Sequence, residues 1–185
     1  PSGYDSAGVC TVHDGDLVRR RAEGKLVNLV HELAAHPAPG PIGIAHTRWA
    51  THGAPTTSNA HPHATAEVAL VHNGIIENFR PLRDELLERG RTFESETDTE
   101  VVAIAFRRHP DLLIGARLGS PLVVGYGEGE TYLGSDALAL APLTQRISYL
   151  EEGDWVVITR DGAQVFDAQN QAVSREITTS GASAA

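Results

Sequence analysis

Two short stretches of this sequence carry side chains able to hold and polarise a small polar molecule. In Thr47-Arg48-Trp49-Ala50-Thr51-His52-Gly53, Arg48 presents a planar fork of donors suited to a carboxylate. Trp49 offers a wall beside it, and Thr51 and His52 add hydrogen bonds. With Asp98 as partner for an ammonium group, the set suits a small zwitterion. A plainer reading fits the same residues: Trp49 is core and Arg48 is a solvated charge at a strand end. In the second stretch, Val71-His72-Asn73-Gly74-Ile75-Ile76, Asn73 and Gly74 could form an oxyanion hole. A side-chain amide and a backbone N–H unobstructed by a Cβ can both point at a developing negative charge. Asn-Gly is also an ordinary turn, but Ile75-Ile76 is not the hydrophilic strand that follows a surface turn.

Other residue groups point to less. His46, His52, His61, His63 and His72 are close in sequence, yet they match no metal-ligand spacing, with no H-E-x-x-H and no cysteine pair. Pro62 is expected to splay His61 from His63. Gly125-Tyr126-Gly127-Glu128-Gly129 precedes Thr131-Tyr132-Leu133, a strand signal, where a phosphate-binding loop needs a helix; it reads as a hairpin turn. Cys10, the only cysteine, lies between apolar strand residues and reads as a small buried hydrophobe rather than a nucleophile.

The elements that must position these residues follow from hydrophobic period and turn chemistry. Strands are expected over 7–12 and 17–21, joined by Asp14-Gly15, a type I′ hairpin signal. A helix over 25–35 carries Leu26, Leu29, Val30 and Leu33 on one face and ends at the proline cluster 37–41. Strands at 42–45 and 68–71 bracket the polar stretches. Asn78 is placed to cap a helix over 79–89 whose stripe is Phe79, Leu82 and Leu86, stopped by Gly90. Another helix opens at 97–100 and carries Val101, Val102, Ile104 and Ala105. From 112 onward the pattern is mostly β, with strands at 112–116, 121–126, 131–134, 146–150, 155–159 and 163–166. A short helix is expected within 136–143, and Asp161-Gly162 is a second hairpin signal. Hairpins and helices segregate rather than alternate, which predicts α+β with largely antiparallel sheets. Residues 178–185 are small and polar and read as a linker or tail.

Composition bounds the function. The chain has 185 residues, 41% of them hydrophobic, enough for a proper core. A net charge of -9 argues against a nucleic-acid backbone as partner, which requires lysines and arginines to neutralise phosphates. No apolar run reaches the roughly 18 residues of a membrane span. One cysteine makes no internal disulfide, which fits a reducing compartment such as the cytoplasm.

Taken together, Gly3 to Gly8, His46 to Gly53, Asn59 to His63, His72 to Asn78 and Ser95 to Glu100 resemble the class II glutamine amidotransferases. Within that family they are most similar to glutaminase domains that feed ammonia to fructose-6-phosphate for glucosamine-6-phosphate synthesis. Gly119 to Gly125, Gly134 to Asp136 and Leu150 to Asp154 extend the resemblance in family order along essentially the whole chain.

The resemblance implies an N-terminal-nucleophile hydrolase fold, an αββα sandwich of two mainly antiparallel sheets between helical layers, over residues 1–177. It implies hydrolysis of glutamine to glutamate and ammonia, with no cofactor and no metal. The enzyme is implied to be a cytoplasmic homodimer whose isomerase domain takes the sugar phosphate. By position, Arg48 would grip the α-carboxylate of glutamine, helped by the backbone of Trp49, Thr51 and His52. Asp98 would pair with the α-ammonium group, and Asn73 and Gly74 would form the oxyanion hole, with His61 in support. The family's nucleophile is an N-terminal cysteine whose own α-amine is the base, and Cys10 does not occupy that place. The family also carries a further helix and strand near 105–109. The sequence therefore reads as a glutaminase domain lacking its first strand and an internal segment. The alternative expectation is a fragment that binds glutamine or glutamate without turnover.

Overall fold

A computed structural model describes residues 4–49, 53–105 (backbone only for 103–105) and 112–181. The expected internal deletion near 105–109 falls largely outside the described residues, as do the side chains of Ile104 and Ala105. The chain divides into two compact units, Pro1–Pro110 and Asp111–Ala185.

The first unit is built on strands β1 (Ser6–His13), β2 (Asp16–Glu23) and β3 (Ile42–Arg48), antiparallel in the order β2-β1-β3. Asp14 and Gly15 join β1 to β2 with φ of 53° and 86°, the paired positive angles of a type I′ turn. Residues opposite one another across a pleated sheet share a face. The register Ser6↔Arg48, Gly8↔His46 and Cys10↔Ile44, with Gly8↔Arg21 and Cys10↔Arg19, therefore sets Ser6, Gly8, Cys10, Arg19, Arg21, His46 and Arg48 on one face.

Arg20, on the opposite face, donates to the carbonyls of His36 and Pro37 at the end of helix α1 (Leu26–Ala35). Of the apolar face expected for that helix, Leu29 is buried while Leu26 and Val30 are exposed.

Beyond this sheet, whose face with His46 and Arg48 is the functional one, the chain continues as β4 (His63–Ala64) and β5 (Ala69–Leu70), a two-residue pair, then α2 (Phe79–Glu88) and α3 (Glu100–Ala105). The expected stripe of α2 is only partly buried. Phe79 and Leu86 are half-buried and Leu82 is exposed, while Arg83 instead lays its guanidinium 4.1 Å from the Phe93 ring centroid. Asn78 does flank the helix, but its side chain makes no capping bond.

The second unit holds two four-stranded antiparallel sheets. One has the order β12-β11-β10-β6, from β6 (Leu113–Ala116), β10 (Trp155–Thr159), β11 (Gly162–Phe166) and β12 (Ala172–Val173). The other has the order β13-β9-β7-β8, from β7 (Val123–Tyr126), β8 (Thr131–Gly134), β9 (Arg146–Tyr149) and β13 (Thr178–Thr179). Alternation along β7 divides the core. Val124 packs with Leu150, Val156, Ile158 and Val165, whereas Val123 packs with Ile147 and with Ala137 and Leu140 of α4 (Ala137–Leu140). Asp136 caps α4 by accepting from the Leu138 N–H.

The 125–129 glycine run is a hairpin connection, with Tyr126 opposite Thr131. The second hairpin turns at Arg160 and Asp161, with Gly162 already opposite Thr159 at φ 134°. Thr178 and Thr179, expected in the tail, pair with Ile147 and Arg146. No helix among the described residues is long and apolar enough to cross a membrane.

Gly8 is a point of tight backbone packing in the first unit. A Cβ on it would collide with the His61 carbonyl oxygen and lie 2.9 Å from that of Arg20. Both obstacles are backbone, so neither can swing aside. Gly8→Ala is expected to cost about 3 kcal/mol, the upper range for overpacking a core, read as a lower urea midpoint at unchanged slope. A loss under about 0.5 kcal/mol would mean that the His61 segment is not seated on the sheet.

Candidate functional site

The covering segments are pinned to the functional face by the arginines of β2. Arg21 Nη1 donates to the carbonyls of Ser58 (2.9 Å) and Ala60 (3.2 Å), and its Nη2 donates to Glu94 (3.0 Å). Arg19 reaches the other oxygen of Glu94 at 2.7 Å. This double pairing holds the Glu94 carboxyl below the usual carboxylate range against the opposing effect of its own burial. Asn59 ties the two covering segments together: its Nδ2 donates to Ala54 O, and its Oδ1 accepts from the Glu96 N–H. Glu100, at the start of α3, accepts from the N–H groups of Glu94 and Ser95 and from the Ser95 hydroxyl.

Three imidazoles stand in a row between the sheet and this cover. His46 and His61 stack at 4.5 Å with rings 26° apart, and His61 meets His63 edge-to-face at 4.6 Å. His61 and His63 are thus in contact rather than splayed. His63 is 1% exposed, and its Nε2 lies 2.8 Å from Thr97 Oγ1. His61 Nδ1 accepts from the His72 backbone N–H at 3.4 Å. Burial, reinforced by neighbouring imidazoles and arginines, pushes the His61 pKa down to about 2 and that of His63 to about 4. Both rings are neutral packing elements. Among the described residues no group of three or more His, Cys, Asp or Glu is placed to hold a metal.

The sequence-derived site residues separate into those brought together and those that are not. Arg48 is 4% exposed and Trp49 is 69% exposed. That is the reverse of the plainer reading, in which the tryptophan is core and the arginine solvated. Arg48 donates to the carbonyls of Gly53 (3.2 Å) and Ala54 (3.3 Å) and lies 3.6 Å from an Asp5 oxygen. Thr51 and His52 lie outside the described residues. Asp98 is 3% exposed and accepts from the Ile76 N–H at 2.7 Å, so it anchors the loop that carries Asn73 and Gly74. Asn73 Oδ1 lies 2.6 Å from His46 Nε2. Gly74 has φ 152°, and a Cβ on it would come within 2.9 Å of His72 Nε2. His72 Nδ1 is itself 3.2 Å from Thr99 Oγ1.

Sequence reasoning missed Arg21 and Glu94, quoted Asn59 and Glu100 in motifs without giving them a part in the cover, and missed the His46 contact to Asn73. The one signal available was the two-residue spacing of His46 and Arg48, which in a strand means a shared face. Cys10 is buried, and burial pushes its thiol up, away from the thiolate that a nucleophile needs.

Residues 34–116 match the family described as glutamine amidotransferase domain. The glutamine–fructose-6-phosphate aminotransferase (isomerizing) of Zymomonas mobilis is 64% identical, covering 98% of this chain and 35% of that protein. The enzyme of the same name from Brucella abortus is 53% identical over 95% of this chain and 34% of its own length. The chain thus spans about a third of the length of the curated relatives it matches. Among solved structures, a glutamine phosphoribosylpyrophosphate amidotransferase from B. subtilis superposes with TM-score 0.69 at 21% identity, covering 95% of this chain and 44% of that one. A structure titled as the allosteric regulatory enzyme of purine biosynthesis gives 0.73 at 21% identity, covering 89% and 43%. These two likenesses bear out the expected N-terminal-nucleophile hydrolase fold class.

Neutral buried histidines make stability depend on pH. Their folded pKa values lie below the ordinary 6.5, so below that pH the unfolded chain binds more protons. Their contribution is fully present above pH 6.5 and is lost as pH falls. The loss is about 1.4 kcal/mol per pH unit for each ring, ending near pH 4 for His63 and near pH 2 for His61. Ring nitrogen shifts at about pH 5 should show both neutral; titration of either near 6.5 would refute the buried arrangement.

Proposed function

The chain belongs to the class II glutamine amidotransferase family, and from that membership we propose that it hydrolyses the side-chain amide of glutamine to glutamate and ammonia. Within the longer protein, the ammonia goes to fructose-6-phosphate, taken by an isomerase domain beyond these residues, and yields glucosamine-6-phosphate. The observation that carries this reading is the 64% identity over 98% of the chain to an enzyme named for that transfer. The same reading makes the intact enzyme a cytoplasmic homodimer, as the family resemblance implies.

Roles follow from the chemistry of each group. Arg48 takes the α-carboxylate of glutamine. Its described acceptors on the Gly53–Ala54 segment are neutral carbonyls, and an ionised carboxylate in bidentate geometry is the stronger acceptor. Substrate therefore competes for the fork with that segment and with the Asp5 carboxylate 3.6 Å away, and the backbone of Trp49, Thr51 and His52 helps to bind it, as the family resemblance implies. Asp98 pairs with the α-ammonium group through oxygen lone pairs not used by Ile76, and its buried charge also fixes the loop. Asn73 Nδ2 and the Gly74 N–H receive the negative charge that builds on the amide oxygen when the tetrahedral intermediate forms. The nucleophile is the family's N-terminal cysteine, and Cys10 plays no part in the chemistry.

Glutamate and ammonia release by the full-length protein tests the reading, with and without fructose-6-phosphate. Arg48→Ala is expected to raise KM for glutamine at least tenfold. Asn73→Ala is expected to lower kcat about 10²–10³-fold, the usual loss for one oxyanion-hole donor. Cys10→Ser should leave both unchanged. No ammonia from glutamine would sink the proposal. Ammonia without sugar amination would leave the glutaminase and remove the acceptor, and an inactive but folded Cys10→Ser would overturn the N-terminal nucleophile.

A further inference from the structure

We propose that His46 is a positioning residue for the oxyanion hole, fixing which end of the Asn73 amide faces the substrate. The inference rests on the glutaminase reading, since it specifies how one donor of that site is aimed.

The half-buried His46 ring belongs to the row over the sheet, stacked on His61. Its Nε2 is 2.6 Å from Asn73 Oδ1, while its Nδ1 is buried with no hydrogen-bond partner among the described residues. These two facts settle the proton. A short contact to a carbonyl-type oxygen requires N–H on Nε2, which leaves Nδ1 a bare lone pair. The opposite amide rotamer would set an Asn73 N–H against Nε2 and drive the ring proton to Nδ1. That would create a buried N–H without an acceptor, costing about 1–3 kcal/mol, and orphaned buried N–H groups are rarer than under-used acceptors. Protonating both nitrogens is disfavoured as well, because burial holds the His46 pKa below its ordinary value. The neutral Nε2–H tautomer is the one state left, and it accepts only the oxygen end of the amide. Asn73 Oδ1 is therefore turned to His46, and Nδ2 is turned away, as an oxyanion donor must be.

The ring cannot drift to release this constraint. His61 stacks on it and is held in turn by the His72 N–H and by the edge of His63, itself bonded to Thr97. A rigid row of imidazoles thus runs from Thr97 to the Asn73 amide. Orientation matters because an inverted amide would present an oxygen to the developing oxyanion, repelling the charge it should stabilise.

The test is glutamine hydrolysis by the full-length protein. His46→Phe keeps a ring to stack on His61 and removes the donor; His46→Leu is a second donor-less variant should the first not fold. His46→Gln returns an N–H close to the Nε2 position. The donor-less variants should lose kcat about tenfold or more with KM within about twofold, and His46→Gln should recover most of it. In an Asn73→Ala background the same His46 substitutions should cost nothing further, because residues acting through one another are not additive. An undiminished effect in that background, or full activity of a folded donor-less variant, overturns the positioning role alone. If Asn73→Ala is itself as active as the unsubstituted protein, the oxyanion-hole assignment fails and takes this inference with it.

Discussion

The missing Cβ at Gly8 is the constraint on which the first unit's site depends. Gly8 is in the central strand of a three-stranded sheet, opposite His46 on one side and Arg21 on the other. Because it has no side chain, the His61 carbonyl can rest against the strand itself. That seating sets the height of the His61 ring above the sheet, and so the ring separation at which His46 stacks. Arg21 fixes the same segment from the neighbouring strand through Ser58 and Ala60. A contact of backbone on backbone has no rotamers, so the row of rings inherits the rigidity of the sheet.

Burial first, and charge on that face second, explain why the imidazoles are neutral. Arg19, Arg21 and Arg48 share it, and each raises the cost of a further cation among them. Desolvation acts in the same direction and is the larger effect for His61 and His63. The arginines are themselves supported by the Glu94 carboxylate and by carbonyl oxygens, which satisfy donors without cancelling every charge. Arg19 and Arg21 share the Glu94 carboxylate, and Arg48 lies 3.6 Å from an Asp5 oxygen, so carboxylates accompany the arginines of this face.

Much of the fold was legible because it rests on local rules. Asp14-Gly15 demanded positive φ and formed the turn it signals, and the β-rich second half followed its apolar alternation. Where tertiary context decided, the sequence misled. Arg48 is the last residue of β3 and Trp49 follows it outside the strand, so which of the two is buried depends on what covers the strand end. Composition favours the tryptophan; the covering segment, which takes up the guanidinium, favours Arg48. In α2 the apolar period is right, but Phe79 and Leu86 find only partial cover among the described residues. Thr178 and Thr179 looked like tail because two residues carry no period, yet β9 offers an open edge to which they pair. The residue types at the site were readable, but their directions were not. Nothing in the spacing of His46 and Asn73 reveals a hydrogen bond, and nothing in either residue reveals which nitrogen bears a proton.

Under the glutaminase reading, the same neutrality has a chemical consequence. The reaction creates a negative oxygen in its transition state and a basic product, ammonia, at its end. An imidazolium beside Asn73 would stabilise the first by charge alone, but it would also hand the second a proton and turn a nucleophile into an inert ammonium ion. A fixed dipole avoids that conflict. An Asn73 amide held by a neutral ring donates toward the oxyanion and has no proton to give away. The low basicity of His61 and His63 extends this behaviour through the row, so no ring there becomes an acid near neutral pH. The burial that makes these histidines unsuited to general acid–base work is what suits them to backing a site that must release its ammonia unprotonated.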